Sequence, residues 1–137
     1  MPVTHSFDED GSLVLCRADG VIDDVTLIAH LRQLAADERV KPQHRVSFDF
    51  RAVEDCTLTG QAVRGAAKLV EEMRARHDEA AASAPRVALL VPSDVAFGLG
   101  RMFCSLVAHL PGSVRVFRDE AEAQRWLDDG PGDEVAA

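Results

Sequence analysis

Positive charge is in short supply in this chain: 15 Lys and Arg stand against 23 Asp and Glu, a formal net charge of −8 over 137 residues. Sequence-independent binding to DNA or RNA depends on clustered basic residues that neutralise phosphates, so no nucleic-acid partner is expected. Cysteine is scarce too. Cys16, Cys56 and Cys104 are widely spaced and odd in number, which gives neither a disulfide framework nor a zinc site. No apolar run approaches the ~20 residues that cross a bilayer, and no basic stretch leads into an apolar one near Met1. The expectation is a cytoplasmic protein without a membrane span.

Nucleotide and hydrolase motifs are missing as well. No GxxxxGK[ST] is present to cradle a triphosphate, and no GxSxG forms a nucleophile elbow. Gly98-Leu99-Gly100 starts like a dinucleotide fingerprint, but Phe103 stands where the third glycine belongs. His5, His30, His44, His77 and His109 never pair at metal-ligand spacing, so each reads as a surface or helix-edge residue. Neither a metal nor a cofactor is expected.

What is present is an ordinary globular composition, 47% hydrophobic and 28% charged, at a length that suits one domain. Val3 to Phe7 and Ser12 to Ala18 read as strands around the loop Asp8-Glu9-Asp10-Gly11, and Asp19-Gly20 punctuates the chain. Val25, Ile28, Leu31 and Ala35 then form a helical stripe, widened by Leu27 and Leu34. Arg45 to Arg51 alternates as a strand, and Gly60 to His77 returns to a helical period through Ala62, Ala66, Leu69, Val70 and Met73. After a link at Ala80–Pro85, Val87 to Val91 is apolar on both faces and reads as the central strand, covered on both sides. A helix from Asp94 to Leu110, a strand from Val114 to Phe117 and a helix capped by Asp119 complete the order. The prediction is an α/β single domain, β-β-α-β-α-β-α-β-α, with a mainly parallel sheet over residues 1–128 and a short acidic tail at 129–137.

Open parallel sheets bind ligands beyond the carboxyl edge of their strands. That edge collects Asp49, Arg51, Asp55, Cys56 and Thr57, then Ser93, Asp94 and Arg118. The helix starts at Thr57–Thr59 and Ser93–Asp94 suit an anion, although Thr59 and Ser93 are also ordinary caps and Asp49 with Arg51 also makes a same-face ion pair. Cys56 is a candidate thiol nucleophile beside a helix start, with Asp49 as its companion, but no histidine lies near it in sequence. Arg101, with Asp94, Ser105 and His109, lies on a polar stripe of the next helix, whose core face runs through Val95, Leu99, Met102, Phe103, Leu106, Val107 and Leu110. A third, small and apolar stripe, Phe97, Gly100, Cys104 and Ala108, is a candidate homodimer surface.

Three stretches resemble the STAS domains, and in particular bacterial SpoIIAA-like proteins: Val46–Arg51 with Val53–Thr57, Val87–Phe103, and Val116–Asp119 with Ala121, Ala123, Trp126 and Leu127. The resemblance implies a non-enzymatic binding or regulatory module that acts through protein contacts. In the antagonist branch a serine that follows an aspartate is phosphorylated, and the matching positions here, Asp55-Cys56-Thr57, put Cys56 in its place or, with a one-residue slip, Thr57, which is the candidate for phosphorylation. Some STAS-like proteins are grouped with CRAL-TRIO-like lipid binders, which gives the alternative of a carrier for a small hydrophobic ligand, held between the Asp94–Leu110 helix and the sheet. A thiol-dependent enzyme is the third reading.

Overall fold

An aspartate-rich loop closes the first hairpin because its side chains replace missing backbone partners. The Asp8 carboxylate accepts from the Leu13 amide and its carbonyl from the Gly11 amide, with Gly11 at φ 74°. The computed structural model describes residues 3–41, 44–75, 86–110 and 113–129. Its elements are β1 (Val3–Phe7), β2 (Leu13–Ile22), α1 (Asp24–Ala36), β3 (Arg45–Cys56), α2 (Gly60–Ala75), β4 (Arg86–Leu90), α3 (Asp94–Leu106), β5 (Ser113–Phe117) and α4 (Glu120–Asp129). This is the predicted order. The strands lie β1-β2-β3-β4-β5, with β1 antiparallel to β2 and every other pair parallel.

Since each parallel crossover steps to the next strand in the same direction, right-handed connections place α1, α2 and α3 on one face of the sheet. Helix α4 follows the last strand and covers the other face. The central position belongs to β3 and not to β4 as expected, since β4 lies between β3 and the edge strand β5. Strand β4 does serve both layers: Ala88 and Leu90 pack with Phe117, Ala123, Trp126 and Leu127, while Leu89 joins Phe48, Leu31 and Ala66 opposite. The run from Val87 is thus apolar on both faces for the expected reason.

Several expectations require correction. Asp19-Gly20 does not end a strand. It forms a bulge at Gly20 (φ 68°), and β2 continues to Ile22. Strand β3 likewise runs past Arg51 to Cys56, because the lengthened β2 gives it a partner that far. Val25 and Val95, placed on core stripes by periodicity, are 78% and 75% exposed. Each sits in a first helical turn, ahead of the inward residues Leu27 and Leu99. His30 is buried rather than at the surface, and α3 ends at Leu106, with Val107 to Leu110 continuing as a turn. His77, the Ala80–Pro85 link, Pro111-Gly112 and the tail from residue 130 lie outside the described residues.

Candidate functional site

At the carboxyl edge, the candidate polar residues mostly bind one another. Arg51 holds Asp49 through two side-chain bonds of 3.1 and 3.0 Å and also meets Glu120 of α4. The guanidinium beside Asp49 lowers its carboxyl pKa. Arg118 donates to Asp94 at 2.6 Å and to the Pro92 carbonyl at 3.4 Å. Ser93 accepts from the Ala96 amide at 3.2 Å, and Thr59 from the Ala62 amide at 3.3 Å, so both are helix caps. Thr59 is drawn further into the fold by Asp24, whose two carboxylate oxygens accept from its amide and hydroxyl at 2.9 and 2.6 Å. Thr57 donates its amide and hydroxyl to the Ile22 carbonyl, stitching β3 to β2. Asp55 and Arg101 are exposed.

Cys56 occupies the last position of β3 rather than a helix start, and its side chain is exposed. The four described histidines have partners elsewhere: His5 and His30 each other, His44 the Gly11 carbonyl, His109 Glu71. No described histidine therefore serves Cys56 as a base. The small stripe of α3 also divides. Gly100 faces inward, where an added Cβ would meet Val116 Cγ2 at 2.9 Å, so it packs within the subunit and leaves the candidate dimer surface. Phe97 and Cys104 are half-buried, Ala108 is exposed, and burial pushes the Cys104 thiol pKa up.

Beneath the helices lies the larger feature. A cavity of about 460 Å³ lies between the sheet and the helix layer, lined by residues of α1, α2 and α3. Apart from Lys41, His44, Glu54, Cys56 and Ser93, every residue lining it is apolar. The strand wall comes from Val46, Phe48 and Phe50, the alternating residues of β3, with Leu89 beside them; Phe48 and Phe50 stack with centroids 5.8 Å apart. Helix α2 roofs it with Val63, Ala66, Val70 and Met73. Three of the buried side chains of α2 are alanines, Ala62, Ala66 and Ala67, and of these Ala66 lines the cavity. The sequence reading put an apolar pocket between α3 and the sheet; the cavity extends further, under α1 and α2.

A second cluster escaped the sequence reading altogether. His30 Nε2 lies 3.2 Å from His5 Nδ1, and His5 Nε2 lies 2.9 Å from Asp37 Oδ2. With Asp37 ionised, His5 donates from Nε2 and accepts at Nδ1, so His30 donates from Nε2 and its Nδ1 is a buried acceptor without a partner among the described residues. Burial, aided by His5, pushes the His30 pKa down to about 4. Hydrogen bonds from Arg39 and then His5 hold Asp37 well below the usual carboxylate range. The available signal was position: His30 falls with Leu27, Leu31 and Leu34 on the inward face of α1.

No family model and no curated protein matches the sequence. Among solved structures, the chain is similar to an uncharacterized protein of the DUF3478 family with a SpoIIAA-like fold from Shewanella loihica PV-4, at 17% identity over 91% of each chain and a TM-score of 0.50. It is similar also to the anti-sigma factor antagonist SpoIIAA in its unphosphorylated form, at 18% identity over 92% of this chain and 97% of that one, again with a TM-score of 0.50. Both matches span nearly the whole of the matched chain. The chain has the SpoIIAA-like α/β fold.

Proposed function

We propose that this chain is a non-catalytic binding module whose cavity holds a small hydrophobic molecule. The observation that carries this reading is the apolar cavity itself. Ligand sites typically enclose ~300–1,000 Å³ behind largely apolar walls with a few polar groups, and 460 Å³ with five polar lining residues fits that description. A protein-contact role is the second reading, favoured by the exposed Val21, Val25 and Val95 near the carboxyl edge and by the fold shared with an anti-sigma factor antagonist. In that role Thr57 is the candidate switch, since a phosphate there removes the hydroxyl bond to Ile22. A second copy of the chain, meeting through Phe97, Cys104 and Ala108, is one such partner.

Native mass spectrometry of the protein purified from its host separates the readings. A lipid-sized adduct on the monomer supports the carrier role. Bare protein that also fails to take up the apolar dye Nile red removes it, and a dimer or a co-purifying protein in that sample supports the contact role instead.

A further inference from the structure

The cavity wall is not chemically uniform along its length. Its two charged lining residues stand at opposite ends, Lys41 just ahead of β3 and Glu54 near the far end of that 12-residue strand. At ~3.3 Å per residue β3 covers about 40 Å, whereas exposed charges are screened within ~8 Å at physiological salt. The two ends are therefore separate electrostatic environments. Around Glu54 the neighbouring Asp55 is exposed, Arg51 is held by Asp49 and Glu120 and Arg118 by Asp94, and among the described residues that line the cavity the one Lys or Arg is Lys41, at the other end. A carboxylate is unwelcome there.

The Lys41 end is different. Arg39 is held by Asp37, and Arg45 by Ser12, the Leu127 carbonyl and Asp128, but the Lys41 ammonium has no partner among the described residues. Its backbone, by contrast, is fixed. The Lys41 amide donates to His44 Nδ1 at 2.8 Å, and the His44 amide returns a bond to the Lys41 carbonyl at 3.0 Å. With Nδ1 accepting, His44 carries its proton on Nε2 and donates to the Gly11 carbonyl at 2.7 Å. A cation without a partner among the described residues, on an anchored backbone, thus lines one end of an apolar chamber.

We propose that the cavity takes an unbranched long-chain carboxylate, its head at Lys41 and its tail running beneath α2; this assignment rests on the cavity reading above. A volume of 460 Å³ holds about fifteen groups of the ~30 Å³ that a water molecule occupies in the liquid, and a methylene is of nearly that size. A chain of about a dozen carbons fits. The charge at the two ends sets its direction, because Lys41 attracts the head that the Glu54 end repels.

The test is displacement of Nile red by laurate, 1-dodecanol and dodecylamine at submicellar concentrations, which share one tail and differ in the head. Laurate is expected to displace the dye at about five-fold lower concentration than dodecanol, as suits an exposed charge pair, with dodecylamine weakest. Lys41→Met should bring laurate level with dodecanol, and Lys41→Glu should favour the amine; circular dichroism checks that both variants fold. If laurate and dodecanol displace equally in the native chain, or if the preference survives Lys41→Met, the head assignment is overturned while the cavity reading stands. If Nile red is never taken up and none of the three compounds binds, the cavity reading falls and takes the assignment with it.

Discussion

At the residue scale, His30 makes the fold sensitive to acid. The imidazole is 1% exposed and faces His5 from β1, with Asp37 and Arg39 beyond it and Phe48 of β3 against its ring at 6.0 Å between centroids. Its pKa falls from 6.5 to about 4 on folding, so between these values the unfolded chain binds a proton that the folded chain refuses. Stability is accordingly complete above pH 6.5 and declines as the pH falls towards 4. At ~1.4 kcal/mol per pKa unit the loss is on the order of 3 kcal/mol, a large share of the roughly 5–15 kcal/mol typical of a domain. Asp37 acts lower on the scale, since its stabilising bonds are lost only as the pH drops below the ordinary carboxylate range. Urea denaturation at pH 7 and pH 4.5 measures the difference, and His30→Leu should flatten it. An equal decline in the variant would assign the acid sensitivity to other groups.

At the element scale, two glycines of one helix have opposite meanings. Gly98 and Gly100 both lie inside α3. A Cβ on Gly98 meets nothing within 4 Å, whereas one on Gly100 meets Val116 at 2.9 and 3.3 Å. Gly98→Ala should therefore stabilise the protein by ~0.5–1 kcal/mol, because alanine loses less backbone entropy in a helix. Gly100→Ala should destabilise it by about 1–3 kcal/mol, the usual cost of overpacking a helix–sheet contact. Thermal unfolding of the two variants reads the sign directly, and a shared sign would mean that α3 does not lie this closely on β5.

What sequence reveals at this scale is whatever a short window contains. The alternation of Val46, Phe48 and Phe50 and the apolar run from Val87 mark strands by themselves, and the caps at Ser93 and Asp119 mark helix starts. A window cannot say whether Asp19-Gly20 turns the chain or only bulges it, because the difference lies in whether β3 continues alongside. Nor does it show that Val25 and Val95 sit in turns ahead of the packed stretch. The candidate edge residues were found, and so was the pairing of Asp49 with Arg51 on one strand face, but Glu120 beside Arg51 and Asp94 beside Arg118 are partners that only the folded chain brings near. His30 and the cavity were hidden for the same reason: each is defined by residues from several elements.

At the scale of the whole molecule, the cavity sets stability against function. Interiors are normally packed to the density of organic crystals, and lining atoms beside a void lose attractive contacts on one side. Helix α2 roofs the void with Val63, Ala66, Val70 and Met73, and a larger residue at the shortest of these should recover contacts that the native chain forgoes. Ala66 is the position to fill, being 4% exposed, in the middle of α2 and on the cavity wall. Ala66→Phe should leave the thermal midpoint level or raise it, and should sharply reduce uptake of Nile red and laurate, since the ring takes the space of the tail. Such a pairing of gained stability with lost binding is the pattern expected where a protein keeps a hole for use. A variant that loses about 1–3 kcal/mol instead would show that the interior around Ala66 is already full. One that keeps both its stability and its full dye uptake would move the binding site away from the space beneath α2.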